Sequence, residues 1–137
     1  FKPIKFSELS NFQIAEIETF GDKRINYIIR NNLSIYSKDN QENLISIKIE
    51  TSKKKAVKEK NINNEITKYE IDINSEISFK LIKNNKSANF IINKSGVYNL
   101  TNQYSQSLNN EKKLIERLSE KIAQEAINKI INKINAF

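Results

Sequence analysis

Apolar residues follow two different rhythms along this chain. Phe12, Ile14 and Ile17 give a short strand signal over residues 12–19, closed by Gly21. Asp22 stands where its carboxylate can accept a bond from an orphan N–H of a first helical turn. Ile25, Ile28, Ile29, Leu33 and Tyr36 follow at spacings of three and four, with Arg24, Asn31 and Asn32 off that line. Such a stripe predicts a helix over residues 23–37. After a polar loop, Ser37 to Asn43, the period drops to two. Ile45, Ile47 and Ile49 alternate with Ser46, Lys48 and Glu50, as a half-buried strand requires. The alternation fades into residues 52–60, read as lying between two strands.

The clearest alternation begins near Lys68. Tyr69, Ile71, Ile73, Ile77, Phe79 and Leu81 take every second position, interrupted only by Ser75. Asn84-Asn85-Lys86 predicts the turn of a hairpin, because Asn tolerates turn conformations. Ala88, Phe90 and Ile92 resume the pattern; Ser95-Gly96 interrupts it as a bulge, and Val97, Tyr98 and Leu100 carry it on. A long helix follows on the stripe Leu114, Ile115, Leu118, Ile122, Ala126, Ile127, Ile130, Ile131 and Ile134. Ser107, Asn109 and Asn110 are its candidate caps before Glu111, Lys129 and Lys133 suit its C-terminal dipole, and it spans about 40 Å. The expected fold is α+β, a two-layer sandwich of order β-α-β-β-β-α. Both helices pack on one face of a four-stranded mixed sheet, its first two strands parallel and the rest a meander.

Length and composition narrow the function. The 137 residues fit one domain, 1–137, with residues 1–11 an extended lead-in holding the single proline, Pro3. At 38% apolar the chain can fill a core. Cys and His are both absent, which removes disulfides, zinc sites, Cys nucleophiles and His general bases. Two glycines, Gly21 and Gly96, are too far apart to cradle a phosphate. We expect no enzyme and no cofactor. The chain starts at Phe1 and has no Met, so a signal segment is expected to have been removed.

The net charge is +7, which suits a polyanion such as nucleic acid, anionic lipid or lipopolysaccharide (LPS), although AT-rich codons also favour lysine. The densest basic stretch is Lys53, Lys54, Lys55, Lys58 and Lys60. One reading is a phosphate-binding rim beside an apolar edge that takes acyl chains. The other is a solvated run that discourages sheet-to-sheet pairing. Tyr69 and Tyr98 read as core or cross-strand partners, and Tyr104 as a surface ring.

Several segments carry a resemblance. Phe1-Lys2-Pro3-Ile4, the helical Asp22-Lys23-Arg24-Ile25-Asn26-Tyr27-Ile28-Ile29-Arg30-Asn31-Asn32-Leu33, Ala56-Val57-Lys58 with Thr67-Lys68-Tyr69, Gly96-Val97-Tyr98-Asn99, Tyr104-Ser105 and the Glu111 to Ile131 helix together resemble LptE-type LPS-assembly lipoproteins. That resemblance implies a lipid-anchored protein on the periplasmic side of a Gram-negative outer membrane. It would plug and help assemble an LptD-type β-barrel and contact LPS in transit. Its lipidated Cys would precede Phe1. The family's basic residues after the second strand match Lys58 and Lys60. Its Lys before the last helix falls on Leu108, with Lys112 and Lys113 one turn on. The alternative is a double-stranded-RNA-binding module, which shares the helix, three strands, helix order and reads phosphates and 2′-hydroxyls. Such modules use a His-containing loop, which this chain lacks. Asn110-Glu111-Lys112-Lys113 matches their Lys cluster only in part, so no nucleic acid is expected. A periplasmic adaptor of the same shape that does not handle LPS is a third reading.

Overall fold

The computed structural model describes residues 12–39 and 42–137. The lead-in 1–11 lies outside the described residues, as does the position of any anchor. Six elements follow in order: β1 (Gln13–Gly21), α1 (Lys23–Tyr36), β2 (Leu44–Lys60), β3 (Ile66–Leu81), β4 (Lys86–Asn99) and α2 (Tyr104–Ala136). The strands lie in the order β1-β2-β3-β4, with β1 parallel to β2 and the other pairs antiparallel. This is the expected α+β sandwich with a four-stranded mixed sheet.

One cluster of buried side chains joins the two layers. Ile45, Ile47 and Ile49 of β2, Ile71, Ile73, Ile77 and Phe79 of β3, and Ile92 of β4 point at α1 and α2, which offer Ile25, Ile29 and Leu33 and the stripe from Leu114 to Ile134. Asp22 caps α1 as its position predicts, accepting from the Ile25 N–H at 2.9 Å. Within this apolar layer Thr51 and Ser75 sit opposite each other, fully covered, their hydroxyls 3.0 Å apart.

Four local expectations change. First, β2 does not stop where its alternation fades. It runs through Lys60, so the lysine stretch is strand rather than a link between strands. The ladder with β3 fixes these residues in the absence of any buried apolar side chain. Second, Ile14 and Ile17 are out of phase because the β1–β2 register shifts between Ile14 and Glu16. Third, Ser95-Gly96 is no bulge; the β3–β4 register passes through it unbroken. Gly96 makes room instead, since a Cβ there would stand 2.6 Å from Leu114 Cδ1 on α2. Fourth, α2 starts at Tyr104, ahead of the supposed caps, and its N-cap Gln103 makes no side-chain capping bond. Ser107 lies inside the helix, accepting from the Thr101 N–H at 2.8 Å. At 33 residues α2 is therefore about 50 Å long. No helix among the described residues is long and apolar enough to cross a membrane.

Candidate functional site

β1 leaves β2 at the pair Gly21–Thr51. Beyond it β2 and β3 continue as a hairpin with one side of β2 unpaired by any described residue, and none of Ser52–Lys60 is buried. Strand alternation then sorts the lysines. Lys53 and Lys55 continue the phase of Ile45, Ile47, Ile49 and Thr51, so they face the helix layer. Lys54 and Lys58 face the other way, toward Asp72 and Glu70 of β3. A register shift after Val57 reorients the end of the strand, where Lys60 pairs with Ile66. The lysines clustered in sequence are thus distributed over two faces.

The helix-side face holds a built cluster. Lys55 Nζ lies 2.7 Å from Glu111 Oε2 on α2 and 4.4 Å from the centroid of the Tyr69 ring. The Tyr98 hydroxyl donates to the same Glu111 oxygen at 2.5 Å. Tyr69 and Tyr98 are cross-strand neighbours, as expected, with ring centroids 5.9 Å apart and stacked. The electrostatics follow this geometry. The Glu111 bond, with help from Tyr98, raises the Lys55 ammonium above the ordinary lysine range. Burial alone would push the Glu111 carboxyl up, but the bonds from Lys55 and Tyr98 outweigh it and hold the carboxyl below its usual range. Burial, then the bond to Glu111, pushes the Tyr98 phenol up. The cluster forms one wall of an open groove of about 570 Å³, with Ile66, Leu100, Tyr104 and Leu108 supplying apolar surface.

The remaining candidates are dispersed. Lys58 pairs with Glu70 at 3.7 Å on the open sheet face. Lys54 and Lys60 are exposed and make no ion pair with a described residue. Lys112 and Lys113 are both exposed on α2. Lys113 borders a separate hollow beside β4, together with Arg117. Sequence reasoning missed Glu111 as the partner of Lys55, and its only signal was a carboxylate near the start of the last helix. Among the described residues no group of acidic side chains is placed to hold a metal ion.

The architecture has close counterparts. Rare lipoprotein B from Shewanella oneidensis superposes with a TM-score of 0.66 at 12% identity, over 88% of this chain and 98% of that one. A lipoprotein B from Nitrosomonas europaea superposes with a TM-score of 0.64 at 9% identity, over 98% and 94%. The chain has the fold of these bacterial lipoproteins. No family model and no curated protein matches it in sequence. The likeness extends over 88% and 98% of this chain in the two cases.

Proposed function

We propose that this protein is a non-enzymatic LptE-like subunit of the outer-membrane LPS translocon, lipid-anchored on the periplasmic side. It plugs and helps assemble an LptD-type barrel and contacts LPS through its basic hairpin. The observation that carries the reading is the match of the whole fold to bacterial lipoproteins of the rare lipoprotein B type. Two features agree with it. The open sheet face is mostly polar, interrupted by Phe20, Ile91 and Val97, with Asn89 donating to Glu76 at 3.1 Å and Asn93 to Asp72 at 3.4 Å. A surface of that kind suits the water-filled lumen of a large barrel. The exposed Lys54, Lys58 and Lys60 give the hairpin cations for phosphate groups, and the groove on its helix-side face, lined by Lys55, has apolar side chains that suit acyl chains.

The test is co-expression, with a lipid anchor restored, beside the LptD-type barrel of the same genome. Detergent-resistant co-purification at equal stoichiometry is expected. A barrel that purifies folded and alone, while this protein runs free, overturns the plug assignment. For the LPS contact, changing Lys54, Lys58 and Lys60 to Ala leaves the Lys55 cluster intact and should abolish salt-sensitive LPS binding by a folded protein. Wild-type binding by that variant would make the stretch a solvated edge only.

A further inference from the structure

Among the described residues the sheet has three unpaired edges, and two of them carry most of the features that discourage strand addition. β1 is short, has a register irregularity and bears Glu16 and Glu18. The free stretch of β2 bears five lysines and two register shifts. Charges and bulges of this kind block pairing with another chain. The outer edge of β4 has no register shift, and its only charged residues are Lys86 and Lys94. It runs 14 residues with no proline. On its open face every residue from Ser87 to Asn99 is uncharged: Ser87, Asn89, Ile91, Asn93, Ser95, Val97 and Asn99. Its two lysines are both drawn aside, Lys94 to Glu125 of α2 at 3.2 Å and Lys86 over the Phe137 ring.

A hollow of about 290 Å³ lies alongside, between this strand and α2. Leu114 and Val97 give it apolar surface, Asn110 reaches across to the Asn99 carbonyl at 3.1 Å, and Lys113 and Arg117 stand over it one helical turn apart. Neither cation makes an ion pair with a described residue. An open edge strand flanked by a groove under a helix is the arrangement that recognises extended peptides. The backbone of the peptide adds to the sheet, and alternate side chains drop into the groove. The two cations choose the occupant. In a second copy of this chain, paired edge to edge across a two-fold axis at mid-strand, the cationic rim would lie beside the opposite end of β4, whose charged residue is Lys86.

We propose that the outer edge of β4 and the groove beside α2 form a docking site for an extended acidic segment of a partner polypeptide. The segment adds as a further strand and places a carboxylate between Lys113 and Arg117. This site is separate from the LPS-facing hairpin and does not depend on the translocon reading.

The experiment uses the isolated chain and two short blocked peptides, one alternating glutamate with valine, the other lysine with valine. Fluorescence polarisation reads affinity, and hydrogen exchange reads the β4 amides. The acidic peptide should bind and slow exchange along β4; the lysine peptide should do neither. The double variant Lys113→Glu, Arg117→Glu, with an unchanged melting temperature, should lower affinity at least about tenfold. Ile91→Lys with Asn93→Lys, which guards the edge as β2 is guarded, should weaken binding without altering the groove. Equal binding of both peptides, binding without β4 protection, or no binding overturns the proposal. So does loss of LPS binding in the Lys113, Arg117 variant together with displacement of the peptide by LPS, which would make the hollow a general anion site. The variant lacking Lys54, Lys58 and Lys60 should bind the acidic peptide normally, so failure of the LPS reading leaves this result unaffected.

Discussion

The two halves of β2 share one backbone and differ in almost everything else. From Leu44 to Thr51 every second side chain is buried; from Ser52 to Lys60 none is. The first half has β1 on one side, β3 on the other and helices above. The second has β3 alone and lysines where the isoleucines were. Strand geometry persists across the boundary because the β3 ladder continues, so hydrogen bonding can extend a strand beyond the apolar burial that started it. What remains to orient the projecting half is local: the Lys55–Glu111–Tyr98 cluster and a few exposed ion pairs.

The largest effect should come from the covered half. Ile49 is fully buried, and Ile49→Asp would leave an uncompensated charge in the core, at a cost of several kcal/mol, on the order of 4 or more. An unchanged melting temperature would refute the packing described. Next comes the boundary. Gly21 has φ +91°, and a Cβ there would meet the Thr51 carbonyl oxygen at 2.0 Å. Gly21→Ala should therefore destabilise by roughly 2–4 kcal/mol, measured by denaturant unfolding.

In the projecting half the effects shrink. Glu111→Gln should cost about 1–2 kcal/mol and speed hydrogen exchange around Lys55 and Tyr69 more than around Ile49. Uniform acceleration across both halves would contradict their independence. The same cluster carries a pH dependence of known sign. The Glu111 carboxyl titrates below its ordinary range in the folded protein, so its contribution is present above that range and lost as pH falls through the lowered value. The acid-induced loss of stability should be smaller in Glu111→Gln than in the parent. Smallest of all, Lys58→Ala removes a half-exposed pair and should change stability by less than about 0.5 kcal/mol.

The halves also differ in how legible they are in sequence. Ile45 to Ile49, Tyr69 to Leu81 and the Ile25 to Leu33 stripe announce their elements because burial imposes a period on hydropathy. Asp22 announces its helix because a cap needs that chemistry. The stretch Ser52–Lys60 carries no such signal, since neither of its faces is buried and its strand state is fixed by a partner strand. The start of α2 was hidden for a related reason: Tyr104 and Leu108 are exposed, and Gln103 caps nothing through its side chain. Gly96 resembled a chain-direction signal but records a helix passing close by. The pairing of Lys55 with Glu111 depends on how the hairpin meets α2, which local pattern cannot encode.

The Thr51–Ser75 pair has a consequence for how the chain finds its fold. The covered faces of β2 and β3 are both largely apolar, and sliding one along the other by two residues would still set two apolar pairs across the ladder, against three in the native register. Such a slip keeps each side chain on its proper face, so burial alone penalises it weakly. It would, however, move Thr51 opposite Ile73 or Ile77 and strand two hydroxyls without partners in an apolar layer, at roughly 1–3 kcal/mol each. Two small polar groups thus act as an alignment mark, distinguishing the native pairing from near-identical misaligned ones.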